Sequence, residues 1–222
     1  EMVFRKFDKD LEWKVLMPDG SHVVPGDVIA EFKGHFRALL TGERKALNFL
    51  QRLSGIASYS NLCMKETEGT KVEILDTRKT LPGYRYLDKY AVRMGGASNH
   101  RFGLYDMVMI KDNHIQVAGG IKEAVKAIRS KIPKSIKIEV ETTTLQQVKE
   151  AIDVDVDIIM LDNMSSQMMK EAVELIRGRA KIEASGNMTL KRIRKVAATG
   201  VNYISIGALT HSVKALDISQ RI

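Results

Sequence analysis

The chain has 222 residues, 44% hydrophobic and 28% charged, with a net charge of +8 and a single cysteine. That length supports one sizeable domain with room for a smaller one, and the composition excludes a disordered or low-complexity chain. One cysteine excludes an internal disulfide and suits a reducing, cytoplasmic setting; no apolar run is long enough to span a bilayer, and the opening residues lack a signal-peptide core.

In the first forty residues, Trp13–Leu16, His22–Val24 and Val28–Phe32 are predicted as short strands. Pro18-Asp19-Gly20 and Pro25-Gly26-Asp27 supply turns between them. This β-rich piece is too short to hold a good core alone. A long helix is predicted from Gly42 to Glu68, with Thr41 as its N-cap, Arg44 near its start, and Ala46, Leu50, Leu53 and Ala57 on one face. Cys63 on this helix reads as a small buried apolar residue rather than a nucleophile. His22 and His35 have no clustered acids or cysteines nearby in sequence and read as structural.

From Val72 onward strand and helix patterns alternate. Predicted strands are Val72–Asp76, Met107–Ile110, Ile136–Glu141, Asp157–Asp162, Ala180–Ala184 and Val201–Ile206. They are apolar with little alternation, as in parallel strands buried on both faces. Amphipathic helices fall between the later ones, on Ile121/Ala124/Val125/Ile128, Leu145/Val148/Ile152, Met168/Met169/Ala172/Val173/Ile176 and Leu190/Ile193/Val196/Ala197, with stops at Gly178 and Gly200. Consecutive βα units imply a parallel sheet. Every strand end carries polar residues, which favours a barrel, where function gathers at the C-terminal ends of strands, over an open sheet with one switch point. The fold class is therefore α/β, an incomplete barrel of about six strands behind a small N-terminal domain. The expected divisions are 1–68, 69–205 and 206–222.

The strand-end residues define the candidate chemistry. Arg78 and Lys79 follow the first strand, His100-Arg101 follow the Gly95-Gly96 pair, and Lys111 ends the second strand. Arginine binds both oxygens of a carboxylate, so several such groups around one cavity imply a ligand with more than one acid group; solvated surface cations are the alternative. Glu141 and Asp162 end adjacent strands. They suit Mg²⁺, sugar hydroxyls, or ion pairs with Lys79 or Lys111. Glu139 is taken to alternate with Glu141, so that one of the two faces away from the barrel interior. Ser185-Gly186-Asn187 and Ile206-Gly207-Ala208 each end a strand before a helix, capped by Asn187 or Thr189 in the first case. The last two strand-end loops of a barrel commonly bind phosphate, and His211 lies near the second. His114 reads as a hydrogen-bonded supporting residue. The basic cluster Lys191, Arg192, Arg194 and Lys195 reads as a solvated helix face, and the cations are too dispersed for a nucleic-acid surface. Zinc, Rossmann and P-loop motifs are absent from the sequence.

Seven segments, in order and with matching spacing, resemble the quinolinate phosphoribosyltransferase family: Thr41-Gly42-Glu43-Arg44 with Leu47-Asn48-Phe49, Leu53–Ser58, Asp76–Gly83, Gly95-Gly96 with Asn99-His100-Arg101, Ile110–His114, Leu161-Asp162-Asn163 and Gly207–Thr210. The resemblance implies transfer of phosphoribose from 5-phosphoribosyl 1-diphosphate to quinolinate with loss of CO2, using Mg²⁺. It implies an α/β sandwich domain joined to an incomplete barrel, a homodimer, and no membrane or nucleic-acid partner. It gives Arg78, His100, Arg101 and Lys111 to the quinolinate carboxylates, and Arg44 to the neighbouring subunit's site. Lys79, Glu141 and Asp162 then surround the phosphoribosyl group and metal, and Ser185, Gly186, Asn187, Gly207 and His211 the 5′-phosphate. The chain would begin part-way into the sandwich domain. A nicotinate-type enzyme without decarboxylation, and a basic nucleic-acid-binding protein, are the alternatives.

Overall fold

The structure, a computed structural model, describes residues 1–221. A short helix α1 (Met2–Arg5) precedes an antiparallel pair, β1 (Glu12–Val15) and β2 (Ala30–Lys33). Phe4, Leu11 and Leu39 form a small separate core here, with Trp13 and Phe32 stacked on it. The predicted strand at His22–Val24 does not form: these residues are exposed and pair with nothing in either sheet.

Helix α2 runs from Phe36 to Lys65, a turn and more earlier than predicted. Its N-cap is His35 rather than Thr41, and Arg44 lies inside the helix rather than at its start. Asp8 anchors the true start by accepting the His35 amide at 2.7 Å and facing the His35 ring at 3.0 Å. Thr41 instead donates its hydroxyl to the Arg37 carbonyl one turn back, a mid-helix habit of threonine. Leu50, assigned to the packed face, is exposed; Ile56, Ser60 and Cys63 make the buried stripe.

All six predicted strands form, with ends shifted by a residue or two: β3 (Glu73–Leu75), β4 (Val108–Ile110), β5 (Ile138–Thr142), β6 (Ile158–Asp162), β7 (Lys181–Ser185) and β8 (Tyr203–Ser205). They form one parallel sheet in the order β3-β8-β7-β6-β5-β4. The layout is an incomplete α/β barrel, open between β3 and β4. Helix α3 (Arg85–Met94) and the segment after it occupy the opening, and Ser98 makes a parallel bridge to Leu75 there. Around the sheet follow α4 (Asp112–Ala118), α5 (Ile121–Arg129), α6 (Leu145–Asp153), α7 (Ser166–Ile176), α8 (Leu190–Ala197) and α9 (Ala208–His211). Thr144 and Ser165 cap α6 and α7 by accepting the amides of Gln147 and Met168. The predicted apolar stripes face inward: Ile121, Ala124 and Val125 of α5, Val148 and Ile152 of α6, Met169, Ala172 and Ile176 of α7, and Ile193, Val196 and Ala197 of α8 are buried in one continuous core with Ile159, Leu161 and Ile204 of the sheet. No helix among the described residues is long and apolar enough to cross a membrane.

Candidate active site

The strand ends converge as the sequence suggested, and the network that fixes them begins at Asp76. This residue follows β3 and is fully buried with Lys89 of α3. It also accepts the His100 amide and the Asn99 side-chain amide, each at 2.8 Å. Lys89 adds a bond to the His100 carbonyl at 2.9 Å. Burial raises the Asp76 pKa and lowers that of Lys89, so the pair depends on its mutual attraction and these extra bonds. The result is a tether holding Asn99-His100-Arg101 against the end of β3.

Arg78 and Arg101 come close in charge. Burial and the neighbouring Arg78 guanidinium both lower the Arg101 pKa. One nitrogen of Arg101 donates to the Met107 carbonyl at 3.0 Å, while Arg78 keeps a buried Nε with no hydrogen-bond partner. Two partly desolvated like charges beside an unsatisfied donor leave an unmet demand for negative charge, the arrangement that suits a ligand with more than one acid group. Lys111 leans to the next strand and donates to Glu141 at 2.9 Å. The ion pair considered from sequence therefore exists, to Lys111 rather than Lys79. His114 accepts the Lys111 amide at 3.0 Å and has the expected supporting role.

Glu141 lies one residue before the end of β5 and Asp162 ends β6, its hydrogen-bonded neighbour. Glu141 commits one oxygen to Lys111, and Asp162 commits one to the Asn163 side chain at 2.7 Å. Each retains an oxygen free of bonds within the described residues, a donor set that suits a hard divalent ion completed by water and substrate oxygens.

On the other side of the mouth, Gly186 has φ +86°, and a Cβ there would run into the Asn163 side chain. Asn187, at φ +49°, donates to Asn163 at 3.0 Å rather than capping α8, whose N-cap is Thr189. A Cβ on Gly207 would meet the His211 ring at 3.0 Å and the Lys79 chain at 3.2 Å, so Lys79 and His211 converge on this glycine. Thr210 locks the junction by donating to the Lys79 carbonyl at 2.8 Å. Arg192 does not belong to a solvated face: it reaches back to the carbonyls of Gly186 and Met164 and props the Ser185–Asn187 loop. Arg44 is exposed on α2 and makes no ion pair among the described residues.

Two expectations change. Glu139 and Glu141 are two residues apart on one strand, so they share a face and neither points away from the other. Both look inward, Glu141 at the mouth and Glu139 one layer deeper, fully buried. His100, expected to bind a quinolinate carboxylate, turns its ring into the protein, with Nε2 facing two buried glutamates and Nδ1 spent on the backbone. Nε2 lies 3.2 Å from Glu139 and 3.1 Å from Glu183, and Nδ1 accepts the Arg101 amide at 2.7 Å. Burial opposes protonation of this ring, but the two glutamates more than offset it and push its pKa up to about 10. Burial, then the charge of Glu183, pushes the Glu139 carboxyl up to about 7. Glu183 was missed from sequence, although Glu183 between Ile182 and Ala184 repeats the signal of Glu139 between Ile138 and Val140: a carboxylate inside a strand buried on both faces.

Comparison with known proteins places these features in a family. The quinolinate phosphoribosyl transferase N-terminal domain matches residues 1–54, and the C-terminal domain of the same family matches residues 56–221. A probable nicotinate-nucleotide pyrophosphorylase (carboxylating) from Bacillus subtilis is 47% identical over 219 residues, covering 99% of this chain and 76% of that protein. Its namesake from Synechocystis is 47% identical over 223 residues with the same two coverages. The crystal structure of NadC from Streptococcus pyogenes superposes with a TM-score of 0.94 at 44% identity, over 97% of this chain and 76% of that one.

Proposed function

The chain belongs to the quinolinate phosphoribosyltransferase family, and from that membership together with its site we infer that it transfers phosphoribose from 5-phosphoribosyl 1-diphosphate to quinolinate, giving nicotinate mononucleotide, diphosphate and CO2 for NAD biosynthesis. The observation that carries the substrate class is the Arg78–Arg101 pair, two partly buried like charges with an unsatisfied donor between strand ends. A pyridine dicarboxylate supplies the matching charge, with Lys111 completing the clamp.

The ring nitrogen attacks C1 of the ribose and the C1–O bond to diphosphate breaks, with its electron pair leaving on oxygen. Positive charge develops on the sugar and negative charge on the leaving group. Lys79, beside Gly207 and His211, supports the leaving oxygens, and the Glu141 and Asp162 carboxylates favour the cationic sugar. The alkylated pyridinium then draws the electron pair as the C2 carboxylate departs as CO2, and C2 takes a proton from Lys79 or water. Glu141 and Asp162 would hold Mg²⁺, which neutralises diphosphate charge when bound. The 5′-phosphate falls to Ser185, Gly186, Asn187, Gly207 and His211, in the two strand-end loops where glycine lets neighbouring side chains approach the backbone closely. These groups position and neutralise more than they exchange protons.

A homodimer in a reducing, cytoplasmic setting fits the chain. Helix α2 exposes Phe36, Leu40, Leu50 and Leu62 on the face that also carries the unpaired Arg44, and a partner over this face would receive Arg44 in its own site. The test is formation of nicotinate mononucleotide and CO2 from quinolinate, run beside nicotinate. Turnover of quinolinate with equimolar CO2 is the expected result; product from nicotinate alone would replace it with the non-decarboxylating reaction.

A further inference from the structure

The His100–Glu139–Glu183 cluster lies in the barrel interior, one layer beneath the proposed quinolinate clamp. His100 comes from the segment that fills the opening between β3 and β4, Glu139 from β5 and Glu183 from β7. It is the place where the open edge is joined to the middle of the sheet by side chains. Both glutamates are fully buried, and all four of their carboxylate oxygens, with His100 Nε2, lack a partner in good hydrogen-bond geometry. Burying two carboxylates without full compensation costs several kcal/mol in principle, so the arrangement calls for a role.

We propose that Glu139 and Glu183 are positioning residues for the quinolinate site: they anchor the His100 ring from below, and His100 through Nδ1 sets the backbone of Arg101. The chain of contacts is continuous. The carboxylates hold Nε2 at 3.1–3.2 Å, and Nδ1 receives the Arg101 amide at 2.7 Å. The carbonyl of His100 is fixed by Lys89 and its amide by Asp76. With ring and backbone both held, the Arg101 side chain leaves the segment in one direction, toward Met107 and the Arg78 charge. In this arrangement His100 offers neither nitrogen to the substrate, and its importance to quinolinate binding acts through Arg101. The inference rests on the functional reading above.

Replacing both glutamates by leucine, of similar volume, separates positioning from stability. The exchange removes the desolvation cost of two buried carboxylates but leaves His100 Nε2 without an acceptor. The Glu139→Leu/Glu183→Leu protein is therefore expected to fold with a lowered Tm, and affinities are compared well below it. Quinolinate Kd by calorimetry and quinolinate KM should both rise roughly tenfold, and KM for 5-phosphoribosyl 1-diphosphate should change less than about twofold. The paired Gln variants keep an acceptor for Nε2–H and should restore quinolinate affinity. If the double Leu protein fails to fold, Glu183→Leu is read against Arg101→Lys in a double-mutant cycle, where the combined loss should fall well short of the product of the two. A stable double Leu protein with unchanged quinolinate affinity, equal losses for both substrates, independent effects in the cycle, or a stoichiometric metal bound by the three residues in the purified protein overturns the positioning role. A wild-type protein that does not bind quinolinate overturns the functional reading instead.

Discussion

Arg78 and Arg101 pose a simple physical problem: burial and the Arg78 charge lower the Arg101 pKa, and no described residue offers Arg78 Nε an acceptor. The proposed dianion would relieve both. Lysine keeps the charge but loses the planar fork. Arg78→Lys and Arg101→Lys should each raise quinolinate KM about tenfold or more, while Lys79→Ala, on the phosphate side beside Gly207, should act mainly on kcat. Steady-state kinetics with each substrate varied in turn check the split, and equal effects on both substrates would contradict it. Cys63 illustrates the opposite kind of residue. Burial pushes its thiol up to about 12, against a weaker pull from Tyr59. A folded thiol that holds its proton longer than the unfolded one contributes stability that is lost as pH rises above 9, its ordinary value, toward 12. At pH 8 the native protein should leave an aromatic disulfide reagent unreacted, and one thiol per chain should appear on unfolding.

At the level of elements, what could be read from sequence was what repeats. Six buried parallel strands and four amphipathic helices announce themselves because apolar residues run together through each strand and recur at helical spacing along each helix. Positions that depend on a distant neighbour did not show. The start of α2 is set by Asp8, 27 residues away from His35, so Thr41 looked like the cap and was not. His22–Val24 has strand composition but finds no strand to pair with. Arg192 has the sequence context of a solvated face, yet two loop carbonyls claim it. The cations, carboxylates and glycines of the mouth were all legible because they sit at strand ends, whereas Glu183 and the Asp76–Lys89 tether lie in the interior, where only folding reveals the partner. Close approach of elements is similarly hidden. The end of α3 touches α2 at Gly95, where a Cβ would collide with the Ala57 carbonyl and the Ser60 side chain. Gly95 has φ −79°, so alanine suits its backbone and the penalty is purely one of space. Gly95→Ala should destabilise the protein by roughly 1–3 kcal/mol, seen as a fall in Tm. It should also shift the His100–Arg101 segment that follows. An unchanged Tm would mean that α2 and α3 can separate freely.

For the molecule as a whole, the barrel mouth gathers four cations, Arg78 and Lys79 after β3, Arg101 after α3 and Lys111 after β4, and the proposed fifth, Arg44, sits on the exposed face of α2 with apolar residues around it. If Arg44 serves a partner's site, each active site is shared between two chains, and this has a consequence that no single-chain arrangement reproduces. Arg44→Ala and Lys79→Ala should each retain only a few per cent of activity or less as pure dimers, roughly the loss expected for removing one charge-stabilising group. Mixed and allowed to exchange subunits, about half of the dimers become mixed, by random pairing within a two-fold assembly. In a mixed dimer the Arg44→Ala chain keeps its own Lys79 and borrows Arg44 from the Lys79→Ala chain, so one site is complete and the other lacks both groups. Activity should return to about a quarter of the wild-type value per chain, the share of complete sites under random two-fold pairing. The recovery should appear with the time course of subunit exchange. Arg44 acting within its own chain would give no recovery at any mixing ratio, since every site would then lack one of the two residues.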